Sequence, residues 1–257
     1  MKLFCFALLV GILYTHHPIP QDKPPAKKET ASKQNDQRTD AGYQQFAALF
    51  SKQFFGSMRS AETNELLNPE DQLSDAEKEI LKNSPTAKSW KFFQKALHEL
   101  AENGDRKAAA NALEDIVARY PSTYYVQQSR DLLKHLKNMI QEDDQYQIPK
   151  EFDKLTIKEK ISVHLHFLRD TRAIQISQPG SCRVVFYGNT TPGGENYNAA
   201  AALYEIGDAA LKPLAELFED KRPIRGVGYW RNFVPKRRVL RYGDAAQQIA
   251  DRIMAKQ

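Results

Sequence analysis

The segment Ala199 to Asp220, AAAALYEIGDAALKPLAELFED, constrains the fold more than any other. Four successive alanines let one helix backbone approach a neighbour closely, while Leu203 and Ile206 add larger apolar contacts. Gly207 suits a left-handed helix stop, and Asp208 suits a cap because its carboxylate can accept from the orphan N–H groups of the next helix. Leu211, Leu214, Ala215 and Phe218 then recur at helical spacing, leaving Lys212, Glu216 and Glu219 for water. Pro213 falls in or near the first turn, where a missing N–H costs little. The segment therefore reads as two stacked helices joined by a two-residue turn. After 36 residues the turn recurs: Ile206-Gly207-Asp208-Ala209-Ala210 is echoed by Tyr242-Gly243-Asp244-Ala245-Ala246, ahead of a second stripe at Ala246, Ile249, Ala250 and Ile253. That period lies near those of stacked helical repeats.

On these residues, about Tyr197 to Gln257 resembles a HEAT-like repeat junction. The arrangement from Glu151 onward is similar to exported bacterial helical-repeat proteins of uncharacterised function. The connection departs from that pattern, since such repeats join their helices by a short turn with an Arg soon after the Asp. Here Asp220 is followed by Arg225 and a long insertion to Arg241.

Upstream, Trp90 to Pro121, WKFFQKALHELAENGDRKAAANALEDIVARYP, resembles a tetratricopeptide repeat. Ala96, Leu97, Leu100, Ala109, Leu113 and Ile116 stand where that family packs, Asn103-Gly104-Asp105 forms the turn, and YPSTYYVQQSRDLLKHL resembles the start of the next helix, so the likeness runs over about 90–136. Tyr43, Phe46, Ala47, Phe50, Phe54 and Met58 add an apolar stripe, and Ser74-x-x-Glu77 is a capping box. The expected fold class is all-α: antiparallel helix pairs stacked as a short α-solenoid, tetratricopeptide-like and then HEAT-like, with an irregular segment at about 171–195 that holds a short strand candidate, VVFY.

The expected domains are a signal peptide or membrane anchor at 1–20, a disordered linker at 21–40, a tetratricopeptide-like domain at 41–141 and a HEAT-like domain at 150–257 with a basic insertion at 221–241. The apolar run LFCFALLVGILY is short for a membrane span and suits a secretory leader, which places the protein in the periplasm, cell envelope or outside the cell. A buried amino-terminal helix is the alternative. The following stretch to Asp40 has too few apolar residues to offset the entropy of ordering it.

The chain carries a net charge of +5, yet Lys221 to Arg241 holds eight basic residues and no acidic one, so the remainder is net −3. The excess is local. This insertion interleaves Tyr229, Trp230 and Phe233 with cations, an arrangement that suits polyanions, glycans, lipid headgroups or nucleic acid. Its candidate anion- or partner-binding residues are Arg225, Tyr229, Trp230, Arg231, Lys236, Arg237, Arg238 and Arg241. The competing reading is structural, with the aromatics plugging a gap while the cations reach solvent.

No motif calls for a catalytic residue, a cofactor or a metal. His164 and His166 would share a face on a strand but diverge on a helix. Cys182 has no partner spacing that suggests catalysis, and the mature chain would keep no second cysteine if a leader carrying Cys5 were removed. Asn189-Thr190-Thr191 fits a glycosylation sequon. The leading expectation is a non-enzymatic scaffold or adaptor that binds another protein or polymer in the cell envelope. An anion-binding module acting through 221–241 is second, and an enzyme like the HEAT-like lyases of phycobilin pigments is third.

Overall fold

The computed structural model describes residues 30–55, 73–177, 181–229 and 235–256. The first part is helical: α1 (Thr30–Phe55), α2 (Asp75–Asn83), α3 (Pro85–His98), α4 (Arg106–Arg119) and α5 (Tyr125–Gln145). The capping box at Ser74 and Glu77 starts α2, with the Ser74 N–H donating to the Glu77 carboxylate at 2.8 Å. Between α3 and α4 the backbone widens to a π turn over Glu99–Asn103 and stops at Gly104, and Asp105 caps α4 by accepting from the Ala108 N–H at 2.8 Å. Trp90, Phe93, Leu97, Leu100, Leu113, Ile116, Leu132 and Leu136 are all buried here, joined by Phe46 of α1.

The remainder corrects the all-α expectation. Beyond α6 (Ile157–His166) come strands β1 (Arg172–Ser177) and β2 (Ser181–Val184), the helix α7 (Ala199–Ile206), the short helix α8 (Leu211–Ala215), strands β3 (Pro223–Tyr229) and β4 (Arg237–Arg241), and the helix α9 (Tyr242–Met254). The strands form a mixed sheet in the order β2-β1-β3-β4, antiparallel at both ends and parallel between β1 and β3. A stacked solenoid is therefore excluded. Half of the sheet comes from the stretch expected to be irregular and half from the basic insertion. The strand expected at VVFY is displaced as well, because β2 ends at Val184.

The sheet is the middle layer of the molecule. Successive side chains of a strand point to opposite faces: Val239 packs into the core of α1 and α3–α5, and its neighbour Leu240 packs into a second core with Ile224, Leu203, Leu214, Tyr242, Ile249 and Ile253. Helix α5 spans both, with Leu132 and Leu136 in the first core and Met139 in the second. Residues poor in strand propensity sit where side chains of neighbouring strands crowd β3. A Cβ on Gly226 would lie 2.7 Å from the Ala173 Cβ, and one on Gly228 would lie 2.7 Å from the Cys182 Sγ.

Unpaired sheet edges invite a further strand, and here a glutamine occupies each edge. On β2, Gln248 of α9 accepts from the Val184 N–H at 2.9 Å and donates to the Cys182 carbonyl at 3.3 Å. On β4, Gln128 of α5 donates to the Arg237 carbonyl at 3.2 Å, and the Tyr125 hydroxyl donates to the Pro235 carbonyl at 3.0 Å.

Candidate binding groove

The basic insertion folds as the β3–β4 hairpin, and its cations divide into two sets. The first set holds the hairpin in place. Arg225 reaches across to the π turn and donates from Nε to the Ala101 carbonyl at 3.2 Å and from Nη2 to the Glu102 carbonyl, satisfying acceptors that the helix end leaves open. Arg241 donates to Asp131 of α5 at 2.9 Å and to the Lys221 carbonyl at 2.8 Å. The Arg237 guanidinium lies 5.1 Å from the centre of the buried Trp90 ring, a distance at which cation–π attraction operates.

The second set faces solvent. Lys221 and Lys236 are exposed, and neither has a carboxylate partner among the described residues. Arg238 pairs with Asp244, but its side chain remains 74% exposed. These residues share a groove of about 560 Å³ with Arg237, Arg241, Gln128 and the turn Phe218–Lys221. Glu219, Asp220 and Asp244 also line it, but Asp220 is held by Arg222 at 2.7 Å and Asp244 by Arg238 and the Arg241 N–H. Phe218, 38% exposed, gives the groove an apolar wall.

Of the residues singled out from sequence, the groove thus gathers Lys236, Arg237, Arg238 and Arg241. Arg225 lies elsewhere, on the π turn. Tyr229 ends β3 opposite Arg237, while Trp230, Arg231 and Phe233 lie outside the described residues. Sequence reasoning omitted Lys221, Gln128 and Phe218. Lys221 opens the same basic run and was within reach of charge counting. Gln128 lies 109 positions from the strand residue it bonds, so no local pattern marks it.

A separate ion network ties α4 and α5 to α6 and the turn after it. Arg169, only 1% exposed, donates to Asp143 and Glu142 at 2.6 Å each and to the His166 and Met139 carbonyls. Arg106 adds Asp143 at 2.7 Å and Asp170 at 2.8 Å. Every acceptor comes from α5, α6 or the turn after α6, so the network fastens the helical layer to the start of the sheet.

On α6 the two histidines serve different neighbours. His164 Nδ1 lies 2.6 Å from the Tyr197 hydroxyl, and the His166 ring stacks on Tyr146 at 3.5 Å between centroids. Burial, reinforced by Lys160 for His164 and by Arg169 for His166, pushes both imidazoles down to about 4. Both are neutral at pH 7. Cys182 is a half-buried free thiol behind Gly228, and burial pushes its ionisation up.

No helix of the described residues is long and apolar enough to cross a membrane. Comparison of the chain with protein-family models, with curated proteins and with solved structures found no match.

Proposed function

We propose that this protein is a non-enzymatic adaptor of the cell envelope that holds an acidic segment of a protein partner in the groove between the Phe218–Lys221 turn and β4. One observation carries the reading: Lys221 and Lys236 stand exposed on the groove wall without a carboxylate partner among the described residues, beside arginines that are engaged within the fold. Unpaired cations cost the free protein nothing and become useful when an anionic surface arrives. Phe218 adds an apolar contact of the kind that interfaces place beside charge. The glutamines on both sheet edges turn the partner away from strand addition and toward side-chain contacts in the groove.

The test is binding of a fluorescein-labelled poly-glutamate peptide, alongside heparin and vesicles containing phosphatidylglycerol. The expected result is peptide binding that weakens as salt rises and falls about tenfold or more, roughly 1.4 kcal/mol, in the double variant Lys221→Glu, Lys236→Glu. Binding of heparin or vesicles without the peptide would favour the polyanion reading of the same residues. Unchanged binding of all three probes by the double variant would overturn both.

A further inference from the structure

A second cavity, sharing no residue with the groove, lies among Gly42 of α1, the start of α3 and the loop between α4 and α5, with a volume of about 440 Å³. Ser84, Pro85 and Thr86 line it from the first turn of α3, a helix of 14 residues, and Ser122 and Thr123 line it from just ahead of α5, a helix of 21 residues. Helix N-termini carry orphan N–H donors and partial positive charge. Neither helix has an acidic residue in its first turn, and α5 has no side-chain cap. In α3 the Ser84 hydroxyl satisfies the Ala87 N–H at 3.2 Å, and Pro85 has none to satisfy, which leaves the Thr86 N–H without an intrahelical acceptor.

The Thr86 side chain is the independent observation. Thr86 is 8% exposed, and its hydroxyl has no hydrogen-bond partner among the described residues. It sits beside Gly42, where a Cβ would come within 3.4 Å of the Oγ1. The hydroxyl keeps contact with the cavity it lines and has no protein partner, so it is open to an acceptor that arrives from outside. Arg119 brings the nearest cation on that wall; its side chain is 62% exposed and bonds Asp115 at 2.9 Å through one of five available N–H groups.

We infer that this cavity binds a single anionic group, a phosphate or a carboxylate, with its oxygens accepting from the Thr86 hydroxyl and N–H and from the Arg119 guanidinium. The Thr86 donors are held at the start of α3, which is the arrangement that suits an oxyanion, and the long Arg119 side chain supplies the charge.

The full chain is titrated with sodium phosphate and, separately, with sodium acetate, each against sodium chloride at matched ionic strength, while backbone amide resonances are followed. The expected result is saturable shifts confined to Thr86, Ala87, Arg119, Ser122 and Thr123. Saturation by phosphate alone, by acetate alone or by both supports the site and tells which oxyanion it prefers. Thr86→Val keeps the shape, removes the hydroxyl and weakens binding about tenfold, and Arg119→Gln weakens it several-fold. Absence of saturation by either anion overturns the inference, as does unchanged affinity in a folded Thr86→Val protein. The double variant Lys221→Glu, Lys236→Glu leaves this titration unchanged, so the groove and the cavity fail or stand separately.

Discussion

Ile206-Gly207-Asp208-Ala209-Ala210 and Tyr242-Gly243-Asp244-Ala245-Ala246 share four residues in order and do opposite things. The first ends a helix. Gly207 adopts φ 75° and ψ −137°, and the chain turns through a 3-10 segment, Gly207–Ala210, before α8. The second begins one: β4 runs directly into α9, and Gly243 lies within the first turn. Gly207 is glycine for its backbone, since a Cβ there would meet nothing within 4 Å. Gly243 is glycine for space, since a Cβ would fall 2.1 Å from the Phe218 carbonyl oxygen. The lesson is that a repeated string need not mark a repeated structural unit.

The comparison makes graded predictions. Gly243→Ala has the largest effect, because the clash is with backbone that cannot rotate away; it lowers stability by about 3 kcal/mol and loosens the groove wall at Phe218, which chemical denaturation and peptide binding both read. Gly207→Ala costs about 2 kcal/mol through backbone strain alone, with peptide affinity preserved. Equal costs with equal effects on affinity would break the distinction.

Acid sharpens it further, since His164 anchors the loop that feeds α7 through Tyr197. An unfolded histidine titrates near 6.5, whereas His164 and His166 titrate at about 4 in the fold. The unfolded chain therefore binds more protons between these values, and stability that is complete above pH 6.5 is lost as pH falls toward 4. At pH 5 the loss is about 1–2 kcal/mol per histidine, and hydrogen exchange should quicken in α7 before α9. The smallest effect is that of Asp244→Ala, about 1 kcal/mol, because it removes the acceptor of the Arg241 N–H at the start of α9. Thermal unfolding of that variant measures it.

The helices were legible where their apolar residues repeat every three or four positions. Trp90, Phe93 and Leu97 on α3, Leu100 on the π turn that follows it, and Ile249, Ala250 and Ile253 on α9 carry that stripe and are buried. The sheet was not legible, for physical reasons visible strand by strand. In β1 the larger alternating residues, Ile174 and Ile176, face solvent, and the inward partner Ala173 is small. In β3 the strand begins with Pro223 and contains Gly226 and Gly228, which strand propensity disfavours and the crowding of Ala173 and Cys182 from neighbouring strands requires. In β4 the arginines mask Val239 and Leu240, each the contact of a different core. The candidate site was half legible: charge counting found the insertion, but only the fold separates cations that fasten it from cations left facing solvent.

That separation is the central claim, and one paired measurement tests it. Thermal unfolding and poly-glutamate affinity are recorded together for Lys221→Glu, Lys236→Glu and for Arg225→Gln. The double variant is expected to keep the wild-type melting temperature and lose about tenfold in affinity, whereas Arg225→Gln loses about 1–3 kcal/mol of stability through the unsatisfied carbonyls of Ala101 and Glu102 and binds the peptide normally once folded. A double variant that melts early with its affinity intact, or an Arg225→Gln protein that is fully stable and fails to bind, would contradict the account.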